Sequence, residues 1–114
     1  MRLRLCLAPL LAALCGSALA HDYPTVDRVE YVLECLRRNG GEYEYIYKCS
    51  CVIDEIARTM SYDDYVEAAT ISRYQGMGGE RAGVFRDPEP LKEKGKAYRA
   101  LQADAARRCG IAKK

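Results

Sequence analysis

Cysteine placement limits this chain more than any other feature. Cys35, Cys49, Cys51 and Cys109 all lie downstream of an N-terminal stretch that reads as an export signal. In a short exported domain an even set of cysteines predicts a disulfide framework, so two bridges are expected. Cys49 and Cys51 cannot easily bond to each other, because two positions along a helix amount to a rotation of about 200°. Each therefore needs a different partner, which leaves 35–49 with 51–109 or 35–51 with 49–109. Cys35 stands five residues before Gly40, and an antiparallel helix after that turn brings 47–49 closer to it than 51. That depth argument favours the first pairing. Facing favours the second, since Cys49 and Cys109 both fall on apolar faces. The first pairing is preferred and both stay open; either staples the first and last helices to the second, at about 2–4 kcal/mol per bridge.

The export signal has the expected three parts. Met1-Arg2-Leu3-Arg4 is the positive region, Leu5 to Leu14 the apolar run, and Ala18-Leu19-Ala20 a small-x-small cleavage site. The run is too short to span a bilayer as a helix, which takes about 20 residues. A lipoprotein would use Cys15, but the residue before it is Leu14 rather than a small one. Residues 1–20 are thus expected to leave, taking Cys6 and Cys15, and residues 21–114 to form one domain in the periplasm. Loss of Arg2 and Arg4 takes the 18 basic residues to 16, against 16 acidic ones. A neutral domain lacks the basic surface that nucleic acid demands, and no further segment reads as membrane-inserting.

Periodicity predicts an all-α fold, a compact four-helix domain stapled by two disulfides. The first helix begins at Thr25 as N-cap, and Val26, Val29, Val32, Leu33 and Leu36 form its apolar stripe. Cys35 sits about 110° from the centre of that stripe. Residues before Pro24 read as a disordered N-terminus. The second helix, Glu42 to Met60, buries Tyr45, Ile46, Cys49, Val52, Ile53, Ile56 and Met60. Tyr43, Tyr47 and Cys51 form a second stripe, which gives this helix two neighbours and a central place. Asp54 and Arg58 are expected to pair at i, i+4. Ser61 with Asp64 makes a shortened capping box for the third helix, whose inner face carries Tyr62, Tyr65, Val66 and Ala69. A glycine-rich loop runs from Gly76 to Gly83. Asp87-Pro88-Glu89 opens the last helix, with Leu91, Tyr98, Leu101, Ala105 and Cys109 inward and Gly110 as its stop.

Chemistry-bearing groups are sparse. His21 is the single histidine, so Ser-His-Asp and Cys-His catalysis have no base and a non-enzymatic role is expected. Asp63, Asp64 and Glu67 are the tightest acidic group and the candidate ligands for a hard cation, a lanthanide or calcium ion. Met77, Val84 and Phe85 are apolar residues on the glycine loop and candidates for partner binding. Cys49-Ser50-Cys51 read as a redox dithiol is the alternative. Redox pairs normally sit at a helix N-terminus with two intervening residues, however, and this pair lies mid-helix with one.

Glu34-Cys35, Tyr47-Lys48-Cys49-Ser50-Cys51 and the stretch Ser61 to Ala68 together carry a resemblance. Over residues 25–87 the chain resembles small periplasmic proteins that accompany quinone-cofactor (PQQ) alcohol dehydrogenases and lanthanide-using methylotrophic systems. The resemblance implies an accessory role, handling lanthanide ions or contacting the dehydrogenase or its cytochrome. The expectation is therefore a disulfide-stapled periplasmic module that binds a partner protein or a metal ion in a redox-enzyme system.

Overall fold

The computed structural model describes residues 22–112, and within them the chain forms helices and no strand. The helices are α1 (Thr25–Arg38), α2 (Glu44–Thr59), α3 (Tyr62–Gln75), α4 (Gly83–Arg86) and α5 (Glu89–Arg108). The four long ones are those the periodicity predicts, and α4 is a single extra turn inside the glycine-rich connection. The expected signal sequence, its cleavage site and His21 lie outside the described residues.

Local chemistry explains most of the helix ends. Both Gly40 and Gly110 have positive φ, which only glycine adopts cheaply, and each lets the chain fold back on its helix. Gly41 N–H then donates to Leu36 C=O at 2.9 Å and Ile111 N–H to Ala106 C=O at 2.9 Å, closing the last turns of α1 and α5. Ser61 caps α3 as the sequence predicts, its hydroxyl accepting from Asp64 N–H at 3.2 Å. Helix α2 starts at Glu44 rather than Glu42, and two other starts differ by one residue. Pro24, not Thr25, is the N-cap of α1, and α5 is capped by Pro88 with Glu89 first, not by Asp87. In each case a proline with extended ψ feeds the helix, since its fixed φ and missing N–H cost nothing there.

The disulfides are Cys35–Cys49 and Cys51–Cys109, the preferred pairing. Depth below the turn decided the outcome over facing. Packing runs in the order α1, α2, α5, α3, with α4 lodged against α3 and α5. Helix α2 does have two long neighbours, but its second is not reached through Tyr43 and Tyr47. Cys51 reaches α5 through its bridge, and Glu55 through an ion pair with Arg108 at 3.3 Å. Asp54 likewise pairs across helices, with Arg28 of α1 at 2.6 Å, while Arg58 takes Glu55 in place of the expected Asp54.

Burial corrects the sequence reading most sharply on α1. Its buried residues are Tyr31 and Cys35, whereas Val26, Val29 and Leu33 are 50–63% exposed. The bridge to Cys49 turns Cys35 inward, and Tyr31, one turn earlier, goes with it. Val26, Val29 and Leu33 are rotated out to solvent, while Val32 packs partly against the core and Leu36 stays half-buried. Along α3 the inner face is Tyr65, Ala68 and Ile71, and Val66 is exposed. Tyr23, in the stretch read as disordered, is buried, and its hydroxyl donates to Met60 C=O at 3.0 Å. The core proper is Cys49, Val52, Ile53 and Ile56 of α2, closed by Tyr98 and Ala105 of α5.

Gln75 ties the second half together. Its Nε2 donates to Phe85 C=O at 3.2 Å and Leu91 C=O at 2.9 Å, and its Oε1 accepts from Arg99 at 2.8 Å. Gly95, buried on α5, makes room for this amide, and a Cβ there would overlap Gln75 Oε1 and lie 2.8 Å from its Cδ. Gly95→Ala should therefore destabilise the domain by about 1–3 kcal/mol in urea unfolding, although alanine is the better helix former. The bridges should also differ. Loop entropy assigns about 4 kcal/mol to Cys51–Cys109 and about 3 to Cys35–Cys49, whose half-cystines are 58 and 14 residues apart. Replacing Cys51 and Cys109 together by alanine should lower the urea midpoint more than replacing Cys35 and Cys49.

Candidate functional site

Two surfaces stand out. One is a groove of about 490 Å³ between α1 and α3. The α1 wall carries Asp27, Glu30, Glu34 and Arg38, and the α3 wall Val66, Ala69, Thr70 and Arg73. Two polar links cross it: Tyr62 hydroxyl donates to Asp27 at 3.1 Å, and Arg73 stands 4.0 Å from Glu34. Below them Tyr31, Tyr65, Tyr98 and Gln102 make the floor. Gln102 Nε2 donates to Tyr31 Oη at 3.2 Å and to Tyr98 Oη at 3.1 Å.

Burial sets the acidity of these phenols. Tyr65 is pushed up to about 12, first by burial and then by the neighbouring Tyr31 phenol. Burial also raises Tyr98, followed by the Tyr65 and Tyr31 phenols, and it raises Tyr31 against the opposing effects of Gln102 and Arg38. Tyr23, packed on Tyr65 at 4.8 Å between ring centres, is raised for the same first reason. All four remain neutral donors over the physiological range.

The other surface is the outer side of the α1–α2 hairpin. Cys35–Cys49 and Arg28–Asp54 fix how the two helices face each other. At about 100° per residue, Val29, Leu33 and the half-buried Leu36 then fall on the side that also carries Tyr43 and Tyr47. Those two tyrosines are exposed and touch each other edge-to-face, with hydroxyl oxygens 3.3 Å apart. Nearby charges are paired within the hairpin, Lys48 with Glu44 at 3.4 Å and Arg28 with Asp54.

The residues singled out from sequence are scattered. Asp64 is held by the Ser61 cap, its Oδ2 accepting from the Ser61 hydroxyl at 2.7 Å, and Glu67 takes Lys94 of α5 at 2.6 Å. Among the described residues no group of three His, Cys, Asp or Glu side chains is placed to hold a metal ion. Phe85 stacks on Tyr74 at 4.6 Å, while Met77 and Val84 are exposed, Met77 beside the groove. Cys49 and Cys51 are bonded to different helices, and Cys49 is fully buried, so they do not form a common redox couple. Sequence reasoning missed the groove floor. Its signal was present: Tyr31 lies one turn before Cys35, and Gln102 one turn after the inward Tyr98.

No protein-family model, curated protein or solved structure matches this chain. Its two disulfides are those of a protein of an oxidising, extracytoplasmic compartment. None of the described helices is long and apolar enough to cross a membrane.

The phenols make stability pH-dependent with a definite sign. A phenol whose folded pKa lies above its unfolded value near 10 stabilises the fold fully below that pH. This contribution is lost as pH rises towards the folded value, about 12 for Tyr65. The urea midpoint should therefore fall steeply above pH ~10, and phenolate absorbance of the folded chain should lag behind that of the urea-unfolded chain. Coincident titration curves would contradict the burial of the four phenols.

Proposed function

We propose that this chain is a non-catalytic accessory module of the periplasm that docks on a partner protein of a redox-enzyme system. The observation that carries the reading is the exposed aliphatic ridge of α1. Val26, Val29 and Leu33 form the helix's most apolar face, and the core does not use it. Burying each such side chain is worth about 1.5–3 kcal/mol, which a docked partner can collect. Tyr43 and Tyr47 extend the ridge with the amphipathic rings that protein interfaces favour. Two charge pairs beside the ridge, Arg28–Asp54 and Lys48–Glu44, are neutralised within the hairpin, which suits an apolar patch on another protein better than an anionic lipid surface or nucleic acid.

The resemblance over residues 25–87 points to the partner: a PQQ-dependent alcohol dehydrogenase or its cytochrome. The acidic trio Asp63, Asp64 and Glu67 lends a lanthanide or calcium role no comparable support, since Asp64 and Glu67 are engaged within the fold.

A photoreactive residue at position 29, introduced in the producing cell, should crosslink to the dehydrogenase or its cytochrome, identified by mass spectrometry. Adding Leu33→Asp should abolish the adduct and change stability by no more than about 0.5 kcal/mol, because the site is exposed. Adducts only between two copies of the chain, or an adduct indifferent to Leu33→Asp, would remove the basis for the proposal.

A further inference from the structure

The groove between α1 and α3 lies on a different face of α1 from the docking ridge, and its hydrogen bonding is incomplete in a specific way. Gln102 Nε2 donates to both Tyr31 Oη and Tyr98 Oη. Each phenol therefore spends a lone pair and keeps its own O–H to give. Tyr65, only 8% exposed, has no hydrogen-bond partner among the described residues. Yet no fully sealed side-chain oxygen or nitrogen there lacks a partner. The Tyr65 hydroxyl must therefore open into the groove it lines. Buried polar groups are rarely left unmatched, and this floor offers three O–H donors at once.

What complements a floor of donors is an acceptor with several lone pairs, and a carboxylate has about four acceptor sites. Hydrogen bonds to an ionised group are also roughly twice as strong as neutral ones. Arg38, at the groove's edge and without an acidic partner among the described residues, supplies the counter-charge. The elevated pKa of Tyr65 keeps its proton available for donation. On the α1 wall Asp27 is taken by Tyr62 and Glu34 faces Arg73, but Glu30 between them has no partner among the described residues. A free carboxylate in that position calls for an ammonium group. The groove's volume of about 490 Å³ is within the range of small-molecule sites.

We infer that the α1–α3 groove is a binding site for a small amino-carboxylate zwitterion, of amino-acid or dipeptide size. Its carboxylate sits on the Tyr31, Tyr65 and Tyr98 hydroxyls beside Arg38, and its ammonium group lies against Glu30.

The test is amide and side-chain NMR of the oxidised mature chain, titrated with glycylglycine and, separately, with its two halves, acetate and ethylamine. Glycylglycine should give saturable shifts at residues 30–38, at 65–73 and at the Gln102 side-chain amide, with acetate weaker at the same places. Tyr65→Phe keeps the ring and removes the unmatched hydroxyl, so the fold should persist while affinity falls about fivefold, one net hydrogen bond. Glu30→Gln should weaken glycylglycine and leave acetate unchanged. Absence of saturable shifts with all three probes would overturn the inference. So would ethylamine binding in the groove without acetate, or glycylglycine affinity unchanged by Tyr65→Phe.

Discussion

The bond between Cys35 and Cys49 determines which way α1 faces, and much else follows from that rotation. Left to hydrophobicity alone, α1 would turn Val26, Val29 and Leu33 inward, because they form its strongest apolar stripe. The covalent tie requires Cys35 to point at α2, and the helix cannot satisfy both. The consequence is a helix with one face bound into the fold, one apolar face left in solvent, and one acidic wall beside a groove. Unused burial on a small domain is an unusual expense, since each aliphatic residue left out forgoes stabilisation comparable to a good part of a disulfide.

Tyrosine fills the space that α1's aliphatics vacate. Tyr23, Tyr31, Tyr65 and Tyr98 are all buried, and a chain of ring contacts runs from Tyr62 through Tyr23 and Tyr65 to Tyr98. A phenol gives large apolar area but brings a hydroxyl that needs a partner. Tyr23 finds one in the Met60 carbonyl, and Tyr31 and Tyr98 share Gln102. Tyr65 finds none inside the protein. An aromatic core of this kind is rigid in its rings and polar at its rim, which is why the groove floor is a row of hydroxyls.

The four long helices, most of their ends and the cysteine pairing were legible in the sequence because each rests on local chemistry or short-range spacing. Ser61 capped as read, Gly40 and Gly110 turned the chain where expected, and the depth of Cys35 below the turn chose its partner. Helix rotation was not legible for α1 or α3, because a stripe of aliphatics marks an apolar face without saying what lies opposite it. Val26, Val29, Leu33 and Val66 were misplaced for that one reason, and Tyr31 went unmarked. The role of Gly95 was hidden as well: mid-helix it reads as a weakness, and only the position of Gln75 shows the space it clears. Met77, Val84 and Phe85 looked alike as exposed loop residues, but the stacking of Phe85 on Tyr74 depends on α4, too short to announce itself in periodicity.

The molecule is built as two hairpins, α1 with α2 and α3 with α5, and the groove runs along their seam. Each hairpin has its own internal fastening, a buried disulfide in the first and the Gln75 amide in the second. Between them the one covalent link is Cys51–Cys109, whose cysteines are both partly exposed, whereas Cys35 and Cys49 are buried. A reductant therefore meets the inter-hairpin bond first. Cutting it would leave both halves internally fastened and joined only by the non-covalent packing of α2 on α5, so the geometry of the groove, whose walls come from different hairpins, is coupled to the redox state of its surroundings.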